Sequence, residues 1–100
     1  MKIFYTIESE LKNEIANARK SNNFKRVLMA QHKLACVEYM HTQAPSITFL
    51  SICAESDESN YPKTCKVFVR FHLFGKIQSI TFSSFETFEH ETGEQVFSIS

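Results

Sequence analysis

His32 and Cys36 stand four residues apart in FKRVLMAQHKLACVEYMHT, a spacing that brings two side chains to one side of a helix. With Cys53, Cys65 or His72 they could complete the four ligands of a structural zinc site. No Cys-x-x-Cys pair accompanies them, and three sparse cysteines serve more simply as small apolar residues of an interior. No metal is therefore expected. The carboxylates that could work in pairs, Glu86, Glu89 and Glu91, are explained as a solvated helix face. The chain has no Gly-x-Ser-x-Gly elbow and no His-Glu-x-x-His pair. With Gly75 and Gly93 as its two glycines it cannot build a glycine-rich phosphate cradle. The expectation is a protein that is not an enzyme and holds no cofactor.

Two sets of residues could instead bind a partner. The stretch TCKVFVRFHLFGKIQSITFSS (64–84) alternates in type, so that Lys66, Phe68, Arg70 and His72 fall on one face of a strand and Val67, Val69, Phe71 and Leu73 on the other. Cations interleaved with an aromatic could stack and neutralise a nucleic acid, or could meet an acidic, apolar protein surface. The alternation is also what any hairpin buried on one side requires. The second set is Met29, Lys33 and Met40 on a helix whose narrow polar stripe is centred on Lys25, Arg26 and Lys33, with Met29, Cys36 and Met40 along its edge. There the methionines either fill gaps at the core margin or form a contact surface.

The elements that position these residues follow from periodicity. Ile7, Leu11, Ile15 and Ala18 recur every three to four residues, which predicts a helix over 7–20, with Thr6 as its cap, Glu8 and Glu10 in its first turn and Arg19 and Lys20 in its last. Ser21-Asn22-Asn23 breaks it and caps a second helix from Phe24 to about Thr42, apolar over most of its circumference and closed by Pro45. After Pro45 the period changes to two. SITFLSICAE (46–55) has apolar residues on both faces and predicts a central or well-covered strand, and residues 55–63 an acidic loop. Gly75-Lys76 then fits the centre of a two-residue type II′ turn, which sets Phe71 opposite Ile80, Val69 opposite Phe82 and Arg70 opposite Thr81. SSFETFEHETG fits either a short acidic helix or a strand and turn with Glu91-Thr92-Gly93 as a hairpin loop; the helix is favoured because it sets Phe85 and Phe88 on one side, and QVFSIS follows as a final strand. The predicted fold is α+β: an N-terminal αα-hairpin (7–42) packed on one face of a three- to four-stranded antiparallel sheet (46–83), then a short acidic helix and strand (84–100), all in one domain.

Composition narrows the function classes. Apolar residues at 43% and charged residues at 22% are those of an ordinary globular chain, and ten Phe with no Trp supply much of the buried area. Net charge is zero, although residues 1–44 hold seven Lys/Arg against four Glu and residues 45–100 four against seven acids. A general binder of phosphate backbones would carry a clear positive excess. MKIFYTIESE is too short in its apolar run for a signal peptide, no run approaches a membrane span, and the odd, sparse cysteines suit a reducing compartment, so a cytoplasmic protein is expected.

In the spacing of Ala18, Phe24 and Ala35 the two helices resemble a single tetratricopeptide repeat, which implies a helical hairpin; no second copy follows, so the hairpin stands alone. VFVRF resembles the aromatic strand of RNA-recognition motifs, without that family's glycines or its alternating order of elements. In size and lack of motifs the chain is similar to phage anti-CRISPR proteins, a likeness of kind that covers no stretch of residues. The resulting expectation is a small binding protein that acts by occupying a protein partner, as an inhibitor, immunity protein, antitoxin or anti-defence protein does. A nucleic-acid binder using the outer sheet face is the alternative, and an enzyme or small-ligand carrier with a cystatin-like cone between helix and sheet a third. A homodimer is compatible with all three.

Overall fold

The computed structural model describes residues 1–56 and 65–82. Its elements are β1 (Lys2–Ile3), α1 (Phe4–Lys20), α2 (Phe24–Gln43), β2 (Thr48–Ser56), β3 (Cys65–Leu73) and β4 (Lys76–Phe82). The strands form one antiparallel sheet in the order β1-β2-β3-β4, and the two helices pack on one face of it, an α+β fold as the change of period at Pro45 predicts. The expected acidic helix and final strand (84–100), and most of the expected loop at 55–63, lie outside the described residues. No helix among the described residues is long and apolar enough to cross a membrane.

The apolar stripe of α1 is buried as its spacing requires: Phe4, Ile7, Leu11, Ile15 and Ala18 all face inward. The helix starts three residues before the predicted position. Ile3, with extended backbone, occupies the cap position and makes no side-chain cap bond, so Thr6 lies inside the helix and the first turn holds no acid. Burial outweighs capping here. Phe4 extends the stripe by one turn and stacks on His41 of α2, with ring centroids 4.2 Å apart and planes 6° from parallel. The break at Ser21-Asn22-Asn23 works as expected: Asn22 takes φ 54°, and the Asn23 side chain accepts a hydrogen bond from the Arg26 N–H at 3.2 Å.

Ile15, Ala18, Val27 and Ala30 form a small cluster between the helices, and Leu34 joins it to the main core. In that main core Cys36, Val37 and Met40 from α2 meet Phe49, Cys65, Val67, Val69, Phe71, Leu73 and Phe82 from the sheet. Between the two helices, Glu14 of α1 sits 3.8 Å from both Arg26 and Lys33 of α2.

Two sheet features differ from expectation. Between Phe49 and Ser51 the β2–β3 register shifts, which marks a bulge at Leu50. The bulge explains why SITFLSICAE is apolar on both faces. Phe49 points inward, the extra residue resets the alternation, and Ile52 and Ala54 point inward again. The strand is inner by its place in the sheet but not well covered along its length: β1 pairs only with Thr48 and Phe49, and Leu50 is exposed.

The β3–β4 turn is the second difference. Leu73 pairs with Lys76, so Phe74-Gly75 rather than Gly75-Lys76 forms its centre. Both central residues have positive φ (53° and 75°), the signature of a type I′ turn, whose hand matches strand twist. Phe71 accordingly opposes Gln78, Val69 opposes Ile80 and Arg70 opposes Ser79. The shift from the predicted register is two residues, a full side-chain period, so every residue keeps its predicted face. Phe74 is 67% exposed, so little burial offsets the cost of its left-handed backbone. Phe74→Asn is expected to raise stability by about 0.5–1 kcal/mol, measured by urea unfolding. A loss instead would show that the ring contributes contacts the turn depends on.

Candidate partner-binding face

Register builds the outer face of the sheet in rows. Ile3, Thr48, His72 and Ile77 lie across all four strands; Ser51, Arg70 and Ser79 form the next row, then Cys53, Phe68 and Thr81, then Glu55 and Lys66. Both helices pack on the opposite face, and among the described residues no element covers this one. Lys66, Phe68, Arg70 and His72 are thus brought together as the alternation predicts, with Arg70 at the centre. Lys66 and Arg70 are exposed, while Phe68 and His72 are partly buried between their cross-strand neighbours.

The charges on this face are unequal in their surroundings. Lys66 stands opposite Glu55, a cross-strand pair of opposite sign. Arg70 stands between Ser51 and Ser79, with no carboxylate opposite it on either neighbouring strand. Its planar guanidinium is therefore placed to pair with a carboxylate brought from outside. The exposed apolar area nearby comes from Ile3 (55%), Ile77 (58%) and Phe74 in the turn. Ile3 was not foreseen, because a two-residue strand is too short to display a period of two.

The helix set is dispersed. Met40 is fully buried against the sheet, and so leaves any contact surface. Lys33 keeps only 18% of its side chain exposed, beside Glu14, and Met29 packs partly into the core, its sulfur 3.4 Å from the Ser56 hydroxyl. α2 is turned so that Cys36 and Met40, read as the margin of a polar stripe, face the sheet.

The residues weighed as zinc ligands are divided by the sheet. Cys36 and Cys65 are buried on its helix side, whereas Cys53 and His72 belong to the outer face, so these four cannot share one ion. No group of three or more His, Cys, Asp or Glu among the described residues is placed to hold a metal. Burial pushes the Cys36 thiol up, as does Cys65 beside it. Burial pushes the Cys65 thiol up as well, partly offset by Lys33. Both stay protonated and behave as apolar packing groups. Glu86, Glu89 and Glu91 lie outside the described residues.

His32 is buried on α2, and desolvation lowers its pKa. The unfolded chain takes up a proton on this residue near its ordinary value of 6.5, while the folded chain resists until lower pH. Stability is therefore whole above that value and declines as pH falls below it, by at most about 1.4 kcal/mol per pH unit from this one group. Urea melts between pH 7 and pH 5 are expected to show the decline, and His32→Gln to flatten it. An equal slope in the variant would assign the effect to other groups.

Compared with protein-family models, curated proteins and solved structures, the chain matches none of them, so the surfaces themselves carry the functional reading.

Proposed function

We propose that the protein acts without catalysis, by occupying a protein partner through the outer face of its sheet. The observation that supports this is Arg70, which has no carboxylate opposite it and is flanked along β3 by Phe68 and His72, on a face no described element covers. An arginine beside aromatic area is the composition enriched at the energetic centre of protein interfaces. The partner it suits carries a carboxylate set in an apolar surround, as targets of small inhibitors, immunity proteins, antitoxins and anti-defence proteins can. A nucleic acid suits the face less, because Glu55 opposes Lys66 and the chain as a whole has no positive excess.

The test is affinity capture from the native host with wild-type protein and with Phe68→Ala/Arg70→Glu. The wild type is expected to retain a discrete protein that resists nuclease treatment. The double variant should retain at least ten-fold less, with an unchanged circular dichroism spectrum and melting temperature. Retention of nuclease-sensitive material would move the function to nucleic acid. Loss of the partner with Met29→Glu/Lys33→Glu, in a folded protein that keeps its sheet face, would move it to the helix.

A further inference from the structure

Among the described residues, the long edge of β2 away from β3 is paired over Thr48 and Phe49 only. β1 adds antiparallel at Thr48 and Phe49, and from Leu50 to Glu55 no described strand continues the ladder. An open edge presents backbone N–H and C=O groups that only another extended backbone can satisfy in register. Natural edges are usually blunted by lysine, proline, shortness or a bulge; here the bulge lies at Leu50, where the open stretch begins, and Ser51-Ile52-Cys53-Ala54-Glu55 beyond it holds neither lysine nor proline. Beside this edge lies a cleft of about 240 Å³ between α1, α2 and β2. Ile7, Leu11, Leu50 and Ile52 give it apolar walls, and the bulge turns Leu50 out to its mouth. Its charges cancel: Lys2 is paired with Glu10 at 2.6 Å and Lys33 lies 3.8 Å from Glu14.

We infer that this edge and cleft form a second binding site, independent of the outer face, for an extended segment of a partner protein. The segment adds antiparallel to Leu50–Glu55 in line with β1 and inserts one uncharged aliphatic or aromatic side chain into the cleft. Continuity with the existing β1–β2 pairing sets the sense of the added strand. The self-neutralised rim selects an apolar side chain over a phosphate or a carboxylate. Strand addition of this kind takes its affinity from the main chain and its specificity from one or two side-chain pockets.

The probe is a random heptapeptide library displayed on phage and selected on the full-length protein. Backbone amide exchange is then followed on the protein with the best peptide. Selected peptides are expected to share an alternating apolar pattern and to slow exchange of the edge-facing amides within Ser51–Glu55. They should lose at least ten-fold in Kd against Leu50→Glu, and also when N-methylated at alternate residues. The methylated peptide makes the result independent of how the protein variant folds. An empty selection, or peptides that tolerate both changes, would overturn the proposal. So would edge amides already protected in the free protein: protection that survives dilution assigns the edge to residues 83–100 of the chain itself, and protection lost on dilution assigns it to a second copy.

Discussion

Phe71→Ala is expected to cost about 3–5 kcal/mol, a large share of what a domain of this size has to lose. Phe71 is 1% exposed in β3, opposite Phe49 of β2, and it belongs to the main core that also holds Cys36, Val37 and Met40 of α2. Truncation removes a large ring from a place where strands on both sides and the helices above limit collapse into the space. The loss is therefore a transfer term plus a cavity term rather than either alone. Urea unfolding measures it, and Thr81→Ala, on the exposed face of β4, is the matching control, expected within about 0.5 kcal/mol of wild type. A loss below about 1 kcal/mol for Phe71→Ala would mean that β3 does not turn this face to the core.

That prediction holds under either hairpin register, which shows what kind of information the sequence carried. Alternation assigns residues to faces, and a slip of two residues leaves every face unchanged. The exact pairing depended on the turn, where local chemistry pointed the wrong way. Phenylalanine is a poor choice for a left-handed position, so Gly75-Lys76 looked the better centre, yet the fold places Phe74 at φ 53°. The bulge at Leu50 was written into the sequence as an apolar pattern on both faces, but a buried central strand gives the same pattern. Only the pairing with β3 separates the two. The outer-face set of Lys66, Phe68, Arg70 and His72 was legible because it needs the faces and not the pairing. That Glu55 opposes Lys66 while Arg70 has no acid opposite it was not, because it depends on β2 being shifted by its bulge. The cleft draws Lys2, Ile7 and Leu11 together with Lys33 and Leu50, residues up to 48 positions apart, and no local spacing announces such a site.

Met40→Glu is expected to abolish the folded state. Read along the helix, Met40 lies with Met29 and Cys36 at the margin of the polar stripe that holds Lys33, where a carboxylate would be tolerated and could at most disturb a contact. In the structure it is 0% exposed, in the same core as Phe49, Phe71 and Phe82. A carboxylate there either stays ionised without a partner or takes up a proton to remain neutral, and each route draws on the same small stability. Met40→Leu keeps the volume and the apolar character, and is expected within about 1.5 kcal/mol of wild type. Dispersion of amide chemical shifts and a cooperative urea transition are the readouts: both lost in the glutamate variant, both kept in the leucine variant. A Met40→Glu protein that stayed folded, melted like wild type and failed only to capture its partner would place Met40 on the surface. The helix rather than the sheet would then hold the partner, since a side chain cannot both support Phe71 from above and be free for contact.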